Sequence, residues 1–154
     1  MPYPNDPAPW QNFFLMLGGA NAALAGLVFV ALSIHLKEVL EHPLLKPRAV
    51  LALVVLTTQI AISAIVLAPQ SRELMGFEIL VINGIFLFLN LRHRSATAVD
   101  RAALISLAIR VAYLYSALSL IAGVGGGFYV LGLVLVVTVG RTMYTCWALL
   151  TGLE

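Results

Sequence analysis

Five stretches of this chain, near residues 11–36, 48–69, 73–92, 102–122 and 128–151, are almost wholly apolar and at least 20 residues long. No other feature restricts the fold so strongly. A helix rises about 1.5 Å per residue, so about 20 residues match a hydrocarbon layer about 30 Å thick. Separate open strands would leave backbone groups unmet in lipid, so the segments are expected to be helices. Composition agrees. The chain is 61% hydrophobic and 10% charged, against about 45–50% and about 25% for a soluble domain. A soluble domain of 154 residues has too little interior to hide that much apolar surface. The expected fold is therefore an all-α integral membrane protein, a bundle of five transmembrane helices in one domain over 1–154, with the lipid bilayer as its solvent. The rival arrangement has four spans, with the last segment re-entrant or interfacial.

Breakers separate the stretches. Pro43 and Pro47 bracket "HPLLKP", Pro69 ends the second span, "RHRSATAVDR" is polar, and "GVGGG" at 123–127 is a glycine-rich turn. Pro47 suits a helix's first turn, where a missing N–H costs little. The lead-in "MPYPNDPAPW" has no Lys or Arg, and a long apolar segment follows it. That pattern does not match a cleavable signal peptide. Trp10 stands where an interfacial aromatic would anchor the first helix. Helix-compatible residues continue past the first span to Pro43. The sequence contains no internal repeat.

Charge sets the expected orientation. With five spans, Lys37, Lys46, Arg48, Arg92, Arg94 and Arg101 fall on one side, and only Arg72 falls on the other. The positive-inside rule makes the Lys/Arg-rich side cytoplasmic, with the N-terminus outside and the C-terminus inside. A multi-pass protein of the cell membrane is expected.

Polar residues inside the spans are the candidates for function. Counted from cytoplasmic charges at about 1.5 Å per residue, Arg110, Asn83 and Gln59 lie near the midplane. Asn21 and Glu78 form a tier nearer the outside. Asn83 is better levelled than Glu78 to meet Arg110. Gly76, Asn83 and Asn90 recur every seven residues on one helix stripe. Ser106, Arg110, Tyr113 and Ala117 share a face of the next helix. If the two stripes meet, the bundle has a polar seam. Asn83 and Gln59 then serve as interhelical glue, whereas a mid-membrane arginine fits a structural ion pair or a water-filled route equally well.

The first span carries "GGANAALAG", in which Gly18/Ala22, Gly19/Ala23 and Ala22/Gly26 are overlapping pairs of small residues that admit a close backbone. The partner is expected to be a neighbouring helix rather than a second subunit. Gly132 and Gly140 repeat the signal more weakly.

Several functions are excluded by pattern. A formal charge of +2 with no basic run gives no sign of nucleic-acid binding. Cys146 is the single cysteine, so neither an internal disulfide nor a cysteine metal cluster is available. Walker A, HExxH and GxSxG motifs are missing. His35, Glu38 and His42, with His93, form a loose set best read as a solvated amphipathic turn, so no metal site is expected. Neither an enzyme nor a cofactor is expected. The expected function is a homo-oligomeric, channel-like or transport protein with a polar intramembrane tier for an ion or small solute. Five short helices leave too little interior for a two-lobed transporter, and assembly of several copies would supply it. The alternative is a non-conducting accessory or scaffold subunit.

Overall fold

The computed structural model describes residues 6–34, 36–41, 45–93 and 101–151. Every regular element among them is helical. A 3-10 turn, Ala8–Trp10, leads into α1 (Gln11–Ile34), α2 (Leu36–Glu41), α3 (Leu45–Leu67), α4 (Arg72–His93), α5 (Arg101–Ala122) and α6 (Gly127–Thr151). Four helical stretches are long and apolar enough to cross a membrane: Ala8–Ile34, Lys46–Leu67, Leu104–Ala122 and Gly127–Trp147. These make the chain an all-helical, multi-pass membrane protein. Only 22% to 44% of the residues in the most apolar part of each stretch are buried within the chain, so much of its surface faces outward. Leu27, Phe29, Ile34 and Leu133 are among the most exposed. In water such a surface would drive association; in a bilayer the acyl chains cover it.

The helix ends follow local chemistry. Asp6 Oδ1 accepts from the Ala8 N–H at 3.0 Å and starts the 3-10 turn. Pro69 bars further helix after α3, because it crowds the residue before it. Gln70 closes that end by donating from Nε2 to the Ile65 carbonyl at 2.9 Å. Ser71 then caps α4, its hydroxyl accepting from the Leu74 N–H at 3.3 Å. Glu73 in the first turn faces the positive helix terminus. α5 stops at a left-handed residue, Gly123, with φ 72°, whose N–H reaches the Ser119 carbonyl at 2.9 Å. A side chain is strongly disfavoured at that φ.

Residues with polar side chains survive in lipid by bonding to their own helix. Ser33, Thr57, Thr58, Ser116, Thr142 and Thr145 each donate to the carbonyl four residues earlier, at 2.8–3.0 Å.

The chain divides into two compact units. One is drawn from Met1–Gln11 and Ile65–Val134, the other from Asn12–Ala64 and Leu135–Glu154. In the first, α4 packs along α5, Gly127 at the start of α6 lies against the Ser116 carbonyl, and Trp10 stacks on Phe128. In the second, Val28 of α1, Ala52 and Leu56 of α3 and Cys146 of α6 form the core, flanked by Leu24, Ala25, Leu32 and Leu53.

Candidate functional site

In the first unit, the α4 and α5 stripes meet. A Cβ at Gly76 would stand 2.7 Å from the Ala117 carbonyl oxygen, and Asn83 Nδ2 donates to the Arg110 carbonyl at 3.3 Å. Both pairs sum to 193, the register of two antiparallel helices. Asn83 therefore meets Arg110 through the backbone, rather than through the guanidinium as its depth alone would imply. Asn83, Ser106, Arg110 and Tyr113 are all part-buried, so this face of the unit retains polar exposure. The Asn90 side chain lies outside the description.

Glu78 is held elsewhere. Its Oε2 accepts from Gln70 Nε2 at 2.9 Å, so one amide joins the end of α3 to the second turn of α4. The same end of the unit carries the glycine turn, pinned by Tyr115, whose hydroxyl donates to the Gly125 carbonyl at 2.9 Å. Ser119 also donates, to the Val124 carbonyl. Arg72 pairs with Glu73 at 2.9 Å. Trp10 packs edge-on against Tyr129, with ring centroids 4.8 Å apart. Aromatic and charged residues gathered at one helix end are what a membrane–water boundary favours.

The second unit contains a different polar set. Asn21 on α1 and Gln59 and Ser63 on α3 are each 1% exposed. Asn21 Nδ2 donates to the Leu17 carbonyl at 2.9 Å. Among the described residues, four buried side-chain atoms have no hydrogen-bond partner: Asn21 Oδ1, Gln59 Nε2, Gln59 Oε1 and Ser63 Oγ. A buried polar atom left unmet costs about 1–3 kcal/mol.

The helix register brings the three residues to one stretch of the α1–α3 seam. A Cβ at Gly18 would stand 3.0 Å from Ser63 Cβ, and Val28 shares a core with Ala52 and Leu56. The helices are antiparallel, with paired positions summing to about 81, so Asn21 lies level with Gln59. This register sets Asn21 beside Gln59, whereas the count from the cytoplasmic charges put it in an outer tier. The i, i+4 spacing of Gln59 and Ser63 was a readable signal for the third member, which composition hides because serine is common in membrane helices.

The small residues of α1 divide. Gly18 packs on Ser63, whereas Gly19, Ala22, Ala23 and Gly26 are exposed. A Cβ added at Gly19 or Gly26 meets nothing within 4 Å. Gly18 therefore packs against a neighbouring helix of the same chain, whereas the other four are exposed. On α6, Gly132 is buried and Gly140 exposed. His35 and His42 lie outside the described residues, as do the side chains of Glu38 and His93. Among the described residues, no three His, Cys, Asp or Glu side chains are grouped to hold a metal.

Comparison with protein-family models, with curated proteins and with solved structures finds no match to this chain.

Proposed function

We propose that the chain crosses the cell membrane five times, with its N-terminus outside, and that several copies assemble around a polar route for an ion or small solute. The orientation is supported by the excess of Lys and Arg on one set of connections. α4 serves as the fifth crossing helix because it runs antiparallel along α5, from Gly76 opposite Ala117 to Asn83 opposite Arg110. A helix packed along a spanning one shares its depth.

The observation that carries the assembly is the setting of Arg110. It is the tenth residue of the 22 in α5, about 14 Å from the start at about 1.5 Å per residue, yet it is only part-buried in the single chain. A guanidinium facing hydrocarbon at mid-depth costs at least about 2.5–3.5 kcal/mol. In this reading the exposed part of Arg110 meets water or another copy. The exposed face of Gly19, Ala22, Ala23 and Gly26 gives a second copy a place to approach closely.

A second reading, an accessory subunit with no route, is favoured by one observation. The Asn83 amide is engaged by backbone and the Glu78 carboxylate by Gln70, as expected of interhelical glue. Reconstitution separates the two. Flux by the parent that changes in rate or in cation–anion preference in Arg110→Leu, at unchanged oligomer size, supports the route, because a fixed cation at a constriction favours anions. A well-assembled parent with no flux across varied voltage, pH and ions overturns it in favour of the accessory subunit.

A further inference from the structure

Gln59, Asn21 and Ser63 present an unusual combination of unmet groups. Gln59 has both ends of its amide unpaired at 1% exposure. Asn21 presents an acceptor, because its Nδ2 is already committed to the Leu17 carbonyl, which can only accept. Ser63 leaves its own helix unused. Hydroxyls elsewhere among the described residues, such as those of Ser33, Thr57 and Thr142, bond the carbonyl four residues back, while Ser63 Oγ, at the same offset from the Gln59 carbonyl, is unpaired. Its side chain lies at Gly18, on the α1 side of α3.

The chemistry of this set narrows the occupant. An amide offers one donating and one accepting end whichever way it is turned, so the site always combines an NH2 donor with carbonyl acceptors. A bare cation would leave the donor unmet. An anion would face the Asn21 and Gln59 oxygens. The group that fits is small, neutral and able to donate and accept together. Buried water makes about three such bonds to groups that otherwise lack partners. We propose that the α1–α3 seam is a binding site for an internal water molecule, held by Asn21 Oδ1, the Gln59 amide and Ser63 Oγ. The site lies in a different unit from Arg110 and stands whether or not the chain conducts.

The test is the nuclear Overhauser effect from water to side-chain amides in the full-length protein, labelled with 15N at Gln and Asn, in lipid nanodiscs. The parent should show a slow-exchange water cross-peak at Gln59 and another at Asn21. Gln59→Leu should lose the Asn21 peak, and Ser63→Ala should weaken both. The exposed amide of Gln11 supplies the fast-exchange reference. A Gln59 amide with no water cross-peak, or one in contact only with Asn21 protons, overturns the proposal from the parent spectrum alone. An Asn21 peak that persists in a folded Gln59→Leu protein overturns it as well.

Discussion

The approach of α4 to α5 at Gly76 makes the sharpest stability prediction. A methyl group at that position would stand 2.7 Å from the Ala117 carbonyl oxygen, 2.7 Å from Ile121 Cγ1 and 3.1 Å from the Ile121 nitrogen. The Ile121 side chain is 37% exposed and can swing away. The other two atoms belong to the α5 backbone and cannot. Ordinary contact begins near 3.4 Å, so the helices must part by the difference between 3.4 and 2.7 Å, about 0.7 Å. Overpacking of this kind costs about 1–3 kcal/mol. Alanine also returns up to about 1 kcal/mol of helix propensity relative to glycine, which would blur a single measurement. Gly19→Ala removes the ambiguity, because a Cβ there meets nothing and the propensity gain is the same. The expected outcome is that Gly76→Ala unfolds about 1–3 kcal/mol more easily than Gly19→Ala, measured by circular dichroism as a denaturing detergent is titrated into mixed micelles. Equal stability of the two variants would refute the close approach and the α4–α5 register built on it.

Two further outcomes follow from the proposed topology and assembly. Reporter fusions after residues 70 and 125 should read as outside, and one within 95–100 as cytoplasmic; a cytoplasmic signal at 125 would sink the five-crossing arrangement. Gly26→Leu should reduce oligomer size in detergent while leaving the stability of the monomer unchanged, because nothing in the chain lies within 4 Å of that Cβ, and an oligomer of parental size would show that the α1 face meets only lipid.

Helical segments were legible because lipid leaves the backbone few alternatives, and breakers such as Pro69 and the glycines at 123–127 are local. The boundaries fell within about three residues of the expectation. The level of Asn83 with Arg110 was also legible, since antiparallel neighbours joined by a short connection have a nearly forced register. What stayed hidden was orientation around each helix axis. "GGANAALAG" contains small residues on several faces, and only the packed structure separates Gly18 from Gly19. Side-chain choice was hidden too. Glu78 has a nearby amide in Gln70, eight residues back, across a helix break that periodicity cannot cross.

The polar side chains of the first unit and those of the α1–α3 seam in the second find their partners differently, and the contrast bears on function. In the first, each polar side chain with a described bond uses a partner that folding already supplies. Asn83 uses a carbonyl, Glu78 an amide, and Tyr115 the turn. Such bonds contribute about 0.5–1.5 kcal/mol each and ask nothing of a ligand. In the second, Gln59 stands beside Leu56 and Ile62, which are fully packed in apolar surroundings. A leucine at 59 would fill similar space with no polar atom to satisfy, and replacing buried polar groups by apolar ones of like shape is often neutral or stabilising. Packing alone therefore gives no reason for an amide at this position. A polar occupant does, because it turns four unmet atoms into partners. Among the described residues, the four unmet atoms lie along the α1–α3 seam, and the proposed water would give each of them a partner.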